Sequence, residues 1–514
     1  MYQALLTRRY LFSKVMPLLA SVAVLLCTAM VLITWSVMGG FLNMLIGTGR
    51  TMTGDVTIAW PQTGFAYYDD LIDRLQKDPA VEAAAPCIET FAIIHLPDGR
   101  NEPVELRGVD GPSYARVTKY ADILWWRPID KPLPKDEDKQ DVRLKNVGGT
   151  TWQQIYENGL KLERKDPVTG EVKPAVVMGI EVSAYSHRTP EGYHNPVVHG
   201  RLLANGQVEE PDIFFFMPRS GQVTVNVLPL DSTGKGVQTA TNIFPVANEF
   251  ESGLYEADNK VVLLRIDALQ TMLLMSKVEP GAAPGTDQFP TGDAGSSEGI
   301  PARVTHILVK GNGPMDRPED AIALKRQVRS IYSEFAKDHA GKVPDPLDIR
   351  VMTWREMNAT FIAAVEKETA LVLVLFIIIS FVAVILVLAI FWAMVSEKTR
   401  DVGILRAMGA SRLGVAWVWI RYGLAIGVVG ALLGGAAAYA IVHNINPIHE
   451  WMGRALGISI WDPKIYYFIT IPNKVDPFKA AQVMIGFTLS CAVGALIPAW
   501  RAAMLHPVRA LRFE

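Results

Sequence analysis

The chain has 514 residues, half of them hydrophobic, and a formal net charge of −2. That balance offers no basic footprint for nucleic acid. Three cysteines, with no Cys-x-x-Cys or His/Cys cluster, offer no metal framework. The length leaves room for one or two water-facing domains beside a membrane part.

The N-terminal residues 1–14 carry Arg8, Arg9 and Lys14, and no formal charge follows from Val15 to Gly49. A bilayer core needs about 20 apolar residues in a helix, so residues 15–40 are predicted as a first membrane span. A cleaved signal would have a shorter apolar core and a small-x-small site after it. Cys27 follows the bulky Leu26 and is no lipoprotein acceptor.

Residues 41–365 mix strand and helix signals and predict an α+β domain outside the cytoplasm, ending in a stalk helix over about 353–367. Asp55–Trp60 alternates like a strand, and Asp69–Gln76 places Leu71, Ile72 and Leu75 on one helical face. Phe91–Leu96, the Pro97-Asp-Gly-Arg100 turn and Val104–Val109 read as a hairpin. Ala175–Gly179 is a short apolar strand; Gln222–Leu228 and Thr241–Phe250 read as partners; Arg303–Val309 reads as a strand and Pro318–Asp338 as a helix. Lys131–Lys145 and Glu279–Ile300 have loop composition.

Further spans are predicted at 369–395, 413–442 and 480–500. Residues 396–412 lie between the second and third spans, 443–479 form a loop between the third and fourth, and 501–514 form the tail. Basic flanks at the N-terminus, at Lys398, Arg400, Arg406 and Arg412, and at Arg501, Arg509 and Arg512 fall on one side of a four-span chain. The positive-inside rule makes that side the cytoplasm. Both termini are then cytoplasmic, and the 41–365 domain and the 443–479 loop lie outside. Arg421, about two turns into the third span, reads as snorkelling to headgroups.

No catalytic constellation emerges. Ser220 and Ser232 lack a nucleophile-elbow context. His187, His194 and His199 have no zinc spacing, and Gly234-Lys235 is followed by Gly236 in place of the Ser or Thr of a P-loop. The chain is predicted to be no enzyme and to bind no cofactor or metal.

The most telling segment is Glu397-Lys-Thr-Arg-Asp-Val-Gly-Ile-Leu-Arg-Ala-Met-Gly-Ala-Ser411. A short mixed-charge helix pinned between two spans is a lever on which a soluble partner can push. Together with the tail Ile497-Pro-Ala-Trp-Arg-Ala-Ala503 and Pro507–Glu514, it resembles the FtsX/MacB-type superfamily of ABC-transporter permeases, with 366–514 as the FtsX-like permease domain. Ser36-Val-Met-Gly-Gly-Phe41, Phe250-Glu-Ser-Gly-Leu-Tyr-Glu-Ala-Asp258 and Ile465-Tyr-Tyr-Phe468 with Ile471-Pro472 and Val475-Asp476 are similar to segments of the lipoprotein-releasing LolC/LolE branch.

This resemblance implies a multi-pass inner-membrane permease subunit with a MacB-like periplasmic domain. ATP and Mg²⁺ would sit in a separate cytoplasmic ATPase, two copies of which are expected, and a second permease copy or a paralogue would complete the assembly. The implied cargo is a lipoprotein passed to a periplasmic carrier. The alternative is a MacB/FtsX-type mechanotransmitter serving efflux or a cell-wall hydrolase.

In the coupling helix, Val402, Ile404, Leu405 and Met408 are candidate anchors for the ATPase. Lys398, Arg400 and Arg406 would pair with its carboxylates, alongside Glu397 and Asp401. Val37, Met38, Phe41, Met44 and Leu45, facing Phe376, Ile377 and Phe381, are candidate lining for an acyl-chain cleft. Asp231, Ser232, Thr233, Gly234, Lys235 and Gly236 form the tip of a candidate carrier-contact hairpin, without the Pro-Met character of the LolC hook.

Overall fold

The computed structural model describes residues 15–49, 51–128, 152–183, 186–188, 194–196, 221–230, 236, 238–277 and 301–504, except 62, 98, 167–168, 314, 316, 457–470, 472 and 474–475. They form two compact units, one from residues 46–359 and one gathering helices from both ends of the chain. The segments 131–145 and 279–300, and the Ile465–Phe468 motif, lie outside the described residues.

The first unit is built on a nine-stranded mixed sheet. Its strands are β1 (Val56–Ala59), β2 (Val81–His95), β3 (Asn101–Val109), β4 (Val176–Gly179), β5 (Gln222–Val227), β6 (Ala240–Phe250), β7 (Val261–Arg265), β8 (His306–Gly311) and β9 (Arg350–Thr353), in the spatial order β5-β6-β4-β7-β3-β2-β8-β1-β9. The pairs β4–β6 and β3–β7 are parallel. The first half of β2 pairs with β8, with Cys87 opposite His306. Its second half pairs with both β3 and β5. Strands β2 to β7 therefore close on themselves, and β8, β1 and β9 extend from the ring.

Alternation explains the strands at the ring's rim. In β5, Val223, Val225 and Val227 are buried between polar neighbours. Strand β2 begins ten residues earlier than the alternation at Phe91 predicts, since Val81–Ile88 includes the small run Ala83–Ala85, buried on both faces. A strand covered on both sides has no reason to alternate. Its residues divide between two apolar cores, Ala84 and Ile88 in one, Ala83, Ala85 and Cys87 in the other. The strand predicted over Arg303–Val309 is interrupted at Thr305, whose hydroxyl accepts the Glu89 amide at 2.9 Å.

Helices α2 (Tyr68–Lys77) and α3 (Pro318–Asp338) cover the first core. Leu324, Val328, Tyr332 and Phe335 of α3 recur at helical spacing and are buried. The Phe250–Asp258 motif locks a turn: the buried Asp258 carboxylate accepts the amides of Ser252 at 2.7 Å and Gly253 at 3.2 Å. Gly253 sits at φ 83°, a conformation that glycine adopts without a Cβ clash.

The second unit contains four helices long and apolar enough to cross a membrane. They are α1 (Val15–Gly49), α4 (Ala359–Glu397), α6 (Arg412–His443) and α8 (Pro477–Met504); α5 (Thr399–Ala407) and α7 (Ile445–Leu456) are short. Small residues bring its helices close together. A Cβ on Gly430 would lie 2.7 Å from Val24 Cβ, and one on Gly434 2.7 Å from the Leu25 carbonyl, so α6 presses backbone against α1. Gly423 and Gly427 do the same against Ala495 and Thr488 of α8. Without a hydrophobic drive in lipid, close backbone approach is what joins helices.

Two cross-helix contacts fix the depth of the spans. Lys479 of α8 lies over the Trp35 ring of α1 at 5.8 Å, and Arg501 of α8 lies over the Trp392 ring of α4 at 4.0 Å. The two levels are about 22 residues apart along α8, roughly 33 Å at 1.5 Å per residue. That matches a hydrocarbon core bounded by aromatic and basic side chains. Helix α1 runs on beyond Trp35 to Gly49, and α4 begins about as far beyond the same level. Arg421 lies over Trp417, 5.4 Å from its centroid, on the α5 side.

Candidate functional site

The α5 segment is built by local chemistry. The hydrogen-bond ladder passes from α4 into α5 across Lys398: its amide donates to Met394 at 3.0 Å, and its carbonyl accepts from Val402 at 3.1 Å. Lys398 Nζ pairs with Asp401 at 2.8 Å. The far end is a Schellman turn. Gly409 donates to Arg406 and Ala410 to Leu405, with Gly409 at φ 94°. Ser411 Oγ then caps α6 by accepting the Gly414 amide at 3.0 Å. The Gly-Ala-Ser run is thus a chain reversal that stops one helix and starts the next.

The two sides of α5 differ. Val402, expected among the anchors for a partner, is 3% exposed and belongs to the unit's own core with Met394, Val395, Val415, Trp419, Ala499 and Ala502. The small Ala499 and Ala502 of α8 belong to the same core and leave room for its side chain. Ile404 and Met408 face outward, Met408 at 78% exposure. Arg400 and Glu397 are exposed, and Leu405 and Arg406 are half-buried. The outward surface is therefore an apolar pair flanked by both signs of charge.

The cleft residues do not gather into one described cluster. Phe376 packs with Val31, Cys27 and Trp35 of α1 and Phe487 of α8. Val37, Met38 and Met44 are half-buried and Phe41 is buried; the Leu45 side chain lies outside the described residues. Ile377 and Phe381 turn outward, Phe381 at 63% exposure. Because α1 and α4 run in opposite directions, Val37–Met44 lie at and beyond the Trp35 level while Phe376–Phe381 lie several residues inside it. The sequence offered no depth marker to reveal this offset.

In the sheet unit, β5 and β6 form the expected hairpin pair, extended by a bridge from Leu230 to Gly236. Asp231, Ser232, Thr233, Gly234 and Lys235 lie outside the described residues. Leu228 packs over Gly236, where a Cβ would come within 3.0 Å of Leu228 Cδ2.

Both chain connections to the long helices meet in one strand pair. β1, which follows α1, lies antiparallel to β9, which precedes α4, with Val56 opposite Thr353. A capping box of Thr353 and Glu356 starts the turn after β9, and Lys325 of α3 grips Glu356 at 2.6 Å. On the other side, the Met52 carbonyl accepts from Tyr114 Oη at 2.7 Å and Arg107 Nη1 at 3.3 Å. Arg107 pairs with Glu105 at 2.6 Å and Glu89 at 3.5 Å. Burial would raise the Glu89 carboxyl, but Arg107 and His306 outweigh it and hold it below its ordinary range. Burial also pushes the His306 imidazole down. These charges are structural fasteners, and sequence spacing gave no sign of them because they come from three strands.

Residues 373–507 match the model of the FtsX-like permease C-terminal family. Over 507 residues the chain is 20% identical to a lipoprotein-releasing system transmembrane protein LolC from Xylella fastidiosa, covering 99% of this chain and 96% of that one. A LolE protein of the same system from Haemophilus influenzae is 25% identical over 23% of this chain and 28% of its own. A macrolide export ATP-binding/permease protein MacB from Syntrophobacter fumaroxidans is 25% identical over 37% of this chain and 23% of its own. The permease match runs from α4 through α8 and takes in the α5 lever. The chain carries an FtsX-like permease C-terminal domain over residues 373–507 and resembles the ABC-transporter permeases LolC, LolE and MacB.

Proposed function

We propose that this permease draws lipoproteins out of the outer leaflet of the cytoplasmic membrane and releases them to a periplasmic carrier. The observation that carries the reading is the similarity to a LolC protein through nearly the whole chain, sheet unit included. Membership of this permease family implies an ABC ATPase partner. In this reading α5 and both termini face the cytoplasm, and the sheet unit faces the periplasm.

Ile404, Leu405 and Met408 dock in a groove of the ATPase, with Arg400 and Glu397 at the rim. ATP and Mg²⁺ belong to that partner. Val402 fastens α5 to α4, α6 and α8, so a push on α5 moves them as one body. The two backbone hydrogen bonds at Lys398 carry the displacement into α4, and the β1–β9 pair receives it in the sheet unit. Two discrete arrangements of such rigid parts suffice for a power stroke.

Each acyl CH₂ held in the bilayer contributes about 0.8 kcal/mol, so two or three chains resist extraction by tens of kcal/mol. The offset between the two halves of the cleft suits a path better than a closed pocket. Ile377 and Phe381 offer contacts at lipid depth, Val37 and Met38 at the boundary, and Phe41 and Met44 beyond it.

The test is purification from native membranes with mass spectrometry of bound material. An ATPase together with triacylated lipoproteins supports the reading. An ATPase with an efflux adaptor or a hydrolase and no lipoprotein replaces the cargo with that of a mechanotransmitter. Recovery of no ATPase sinks both. In parallel, Met408→Asp or Ile404→Asp abolishes stimulation of the ATPase while leaving the permease folded.

A further inference from the structure

Helix α7 has a segregated surface that the permease reading does not use. At about 100° per residue, Ile445, Ile448, Trp451, Met452, Ala455 and Leu456 fall within an arc of roughly 140°. Asn446, His449 and Gly453 form a polar arc of roughly 60° alongside it, next to Leu456 and Ile445. The apolar arc is open: Trp451 is 63%, Leu456 59% and Ile448 37% exposed. A water-facing helix would not keep a Trp and two aliphatics uncovered on one stripe.

Its surroundings name the occupant. Only Asn444 separates α7 from the end of the α6 span. Tyr439 and Ile441 on the last turns of α6 are exposed, so the open apolar surface of the span continues into α7. Pro447 lacks the amide that would donate to His443, and the helix is interrupted at Asn444 where the span ends. Asn446 clasps the Ile471 backbone in both directions, at 2.9 and 3.2 Å, which holds the polar arc against the chain leading into α8. Lys479, eight residues after Ile471, lies at the Trp35 level, and Asp476 caps α8 by accepting the Phe478 amide at 3.0 Å.

We infer that α7 lies in the headgroup–acyl boundary of the membrane at this level, with Ile448, Trp451, Met452 and Leu456 immersed in lipid. The clasp at Asn446 places its polar arc toward the protein, and the bilayer covers the rest. An interfacial helix of this kind sinks its apolar side about 5–10 Å into the boundary. It sets the depth at which α6 and α8 sit in the bilayer. This inference is independent of the cargo.

The experiment uses the full chain in lipid nanodiscs with Cys27, Cys87 and Cys491 replaced by Ala. Single cysteines at 448, 451 and 456, and at 453 for contrast, carry an environment-sensitive fluorophore. Lipids doxyl-labelled high on the acyl chain should quench 448, 451 and 456 at least about threefold more than aqueous iodide does, while 453, turned toward the protein, should be quenched weakly by both, as expected for a half-immersed helix. Iodide quenching at 448, 451 and 456 equal to or above the lipid quenching overturns the inference. A second measurement avoids the cysteine background. A photoreactive benzoylphenylalanine replaces Trp451 in the otherwise unaltered chain, and its adducts are weighed. Phospholipid adducts support the placement. Adducts to protein mean that a second copy or a partner covers the face, and overturn it.

Discussion

The sheet unit and the membrane unit are packed in opposite senses. In the sheet unit the bulky side chains are inside: Phe250, Tyr114, Tyr120, Phe335, Leu71 and Ile58 are fully buried. In the membrane unit many bulky side chains are outside, as with Leu432, Leu433, Phe381 and Ile377, and the closest helix contacts are made at Gly430, Gly434 and Ala495, beside a smaller buried set that includes Phe391 and Tyr422. The same physics gives both. Water rewards removal of large apolar surface. Lipid is as apolar as leucine, so only close backbone contact distinguishes bound from unbound helices. A residue's size therefore has opposite meaning in the two halves of one chain.

The largest break in that contrast comes from Gly434→Leu. Even its Cβ would sit 2.7 Å from the Leu25 carbonyl, so α1 and α6 must separate. We expect loss of monodisperse protein on size exclusion in detergent. Leu433→Ala, next to it but exposed, should change thermal stability by no more than about 0.5 kcal/mol.

Phe250→Ala in the sheet unit should cost about 3–5 kcal/mol by leaving a cavity, read as a lowered unfolding midpoint of the full chain. Phe381→Ala, facing outward in the membrane unit, should leave that midpoint in place. Equal losses from the two would show that Phe381 is covered by protein.

A third test sharpens the contrast through a buried charge. Glu249 in β6 is 4% exposed and accepts the Trp126 indole N–H at 2.8 Å. Burial pushes its carboxyl up to about 7, with Trp126 opposing. A carboxyl raised on folding favours the protonated form, so its burden on stability grows as pH rises from about 4.5 to about 7. Glu249→Gln should raise stability at pH 8 by up to about 3 kcal/mol, at 1.36 kcal/mol per unit. It should change little at pH 4. The result is read in pH-dependent melts of the full chain; a pH-independent difference would mean that the carboxyl is not neutralised on burial.

The smallest expected effect is at the α5 side of the membrane. Arg501→Gln removes the stack on Trp392 and should lower stability by about 0.5–1 kcal/mol. Trp392→Leu should do the same, and the double substitution should cost no more than either alone if the contact is direct.

Much of the architecture was legible in the residues. The helix over Pro318–Asp338 followed from its apolar spacing and its Pro start. The β5 and β6 pair followed from alternation. Ile404 and Met408 fell on a helical surface beside an abrupt Gly. What stayed hidden was hidden for identifiable reasons. The Ala83–Ala85 stretch carries no alternation because both faces are covered. Helix α7 did have a readable signal, Ile445, Ile448 and Met452 at spacings of three and four, but its length made it look like loop.

The sequence by itself determined where the chain is apolar for about 20 residues, where it turns, and which family signature joins the second and third long helices. Those properties depend on local composition and near-neighbour spacing. Only the tertiary structure decided that Val402 faces inward while Met408 faces outward, that β2 closes a ring of strands, and that the two halves of the candidate cleft sit at different depths. Each of these depends on what a distant segment leaves open: Ala499 and Ala502 beside Val402, β5 beside His95, and Trp35 and Trp392 as opposite rims of one slab. Such choices are made by packing across the fold, and no window along the chain contains both partners.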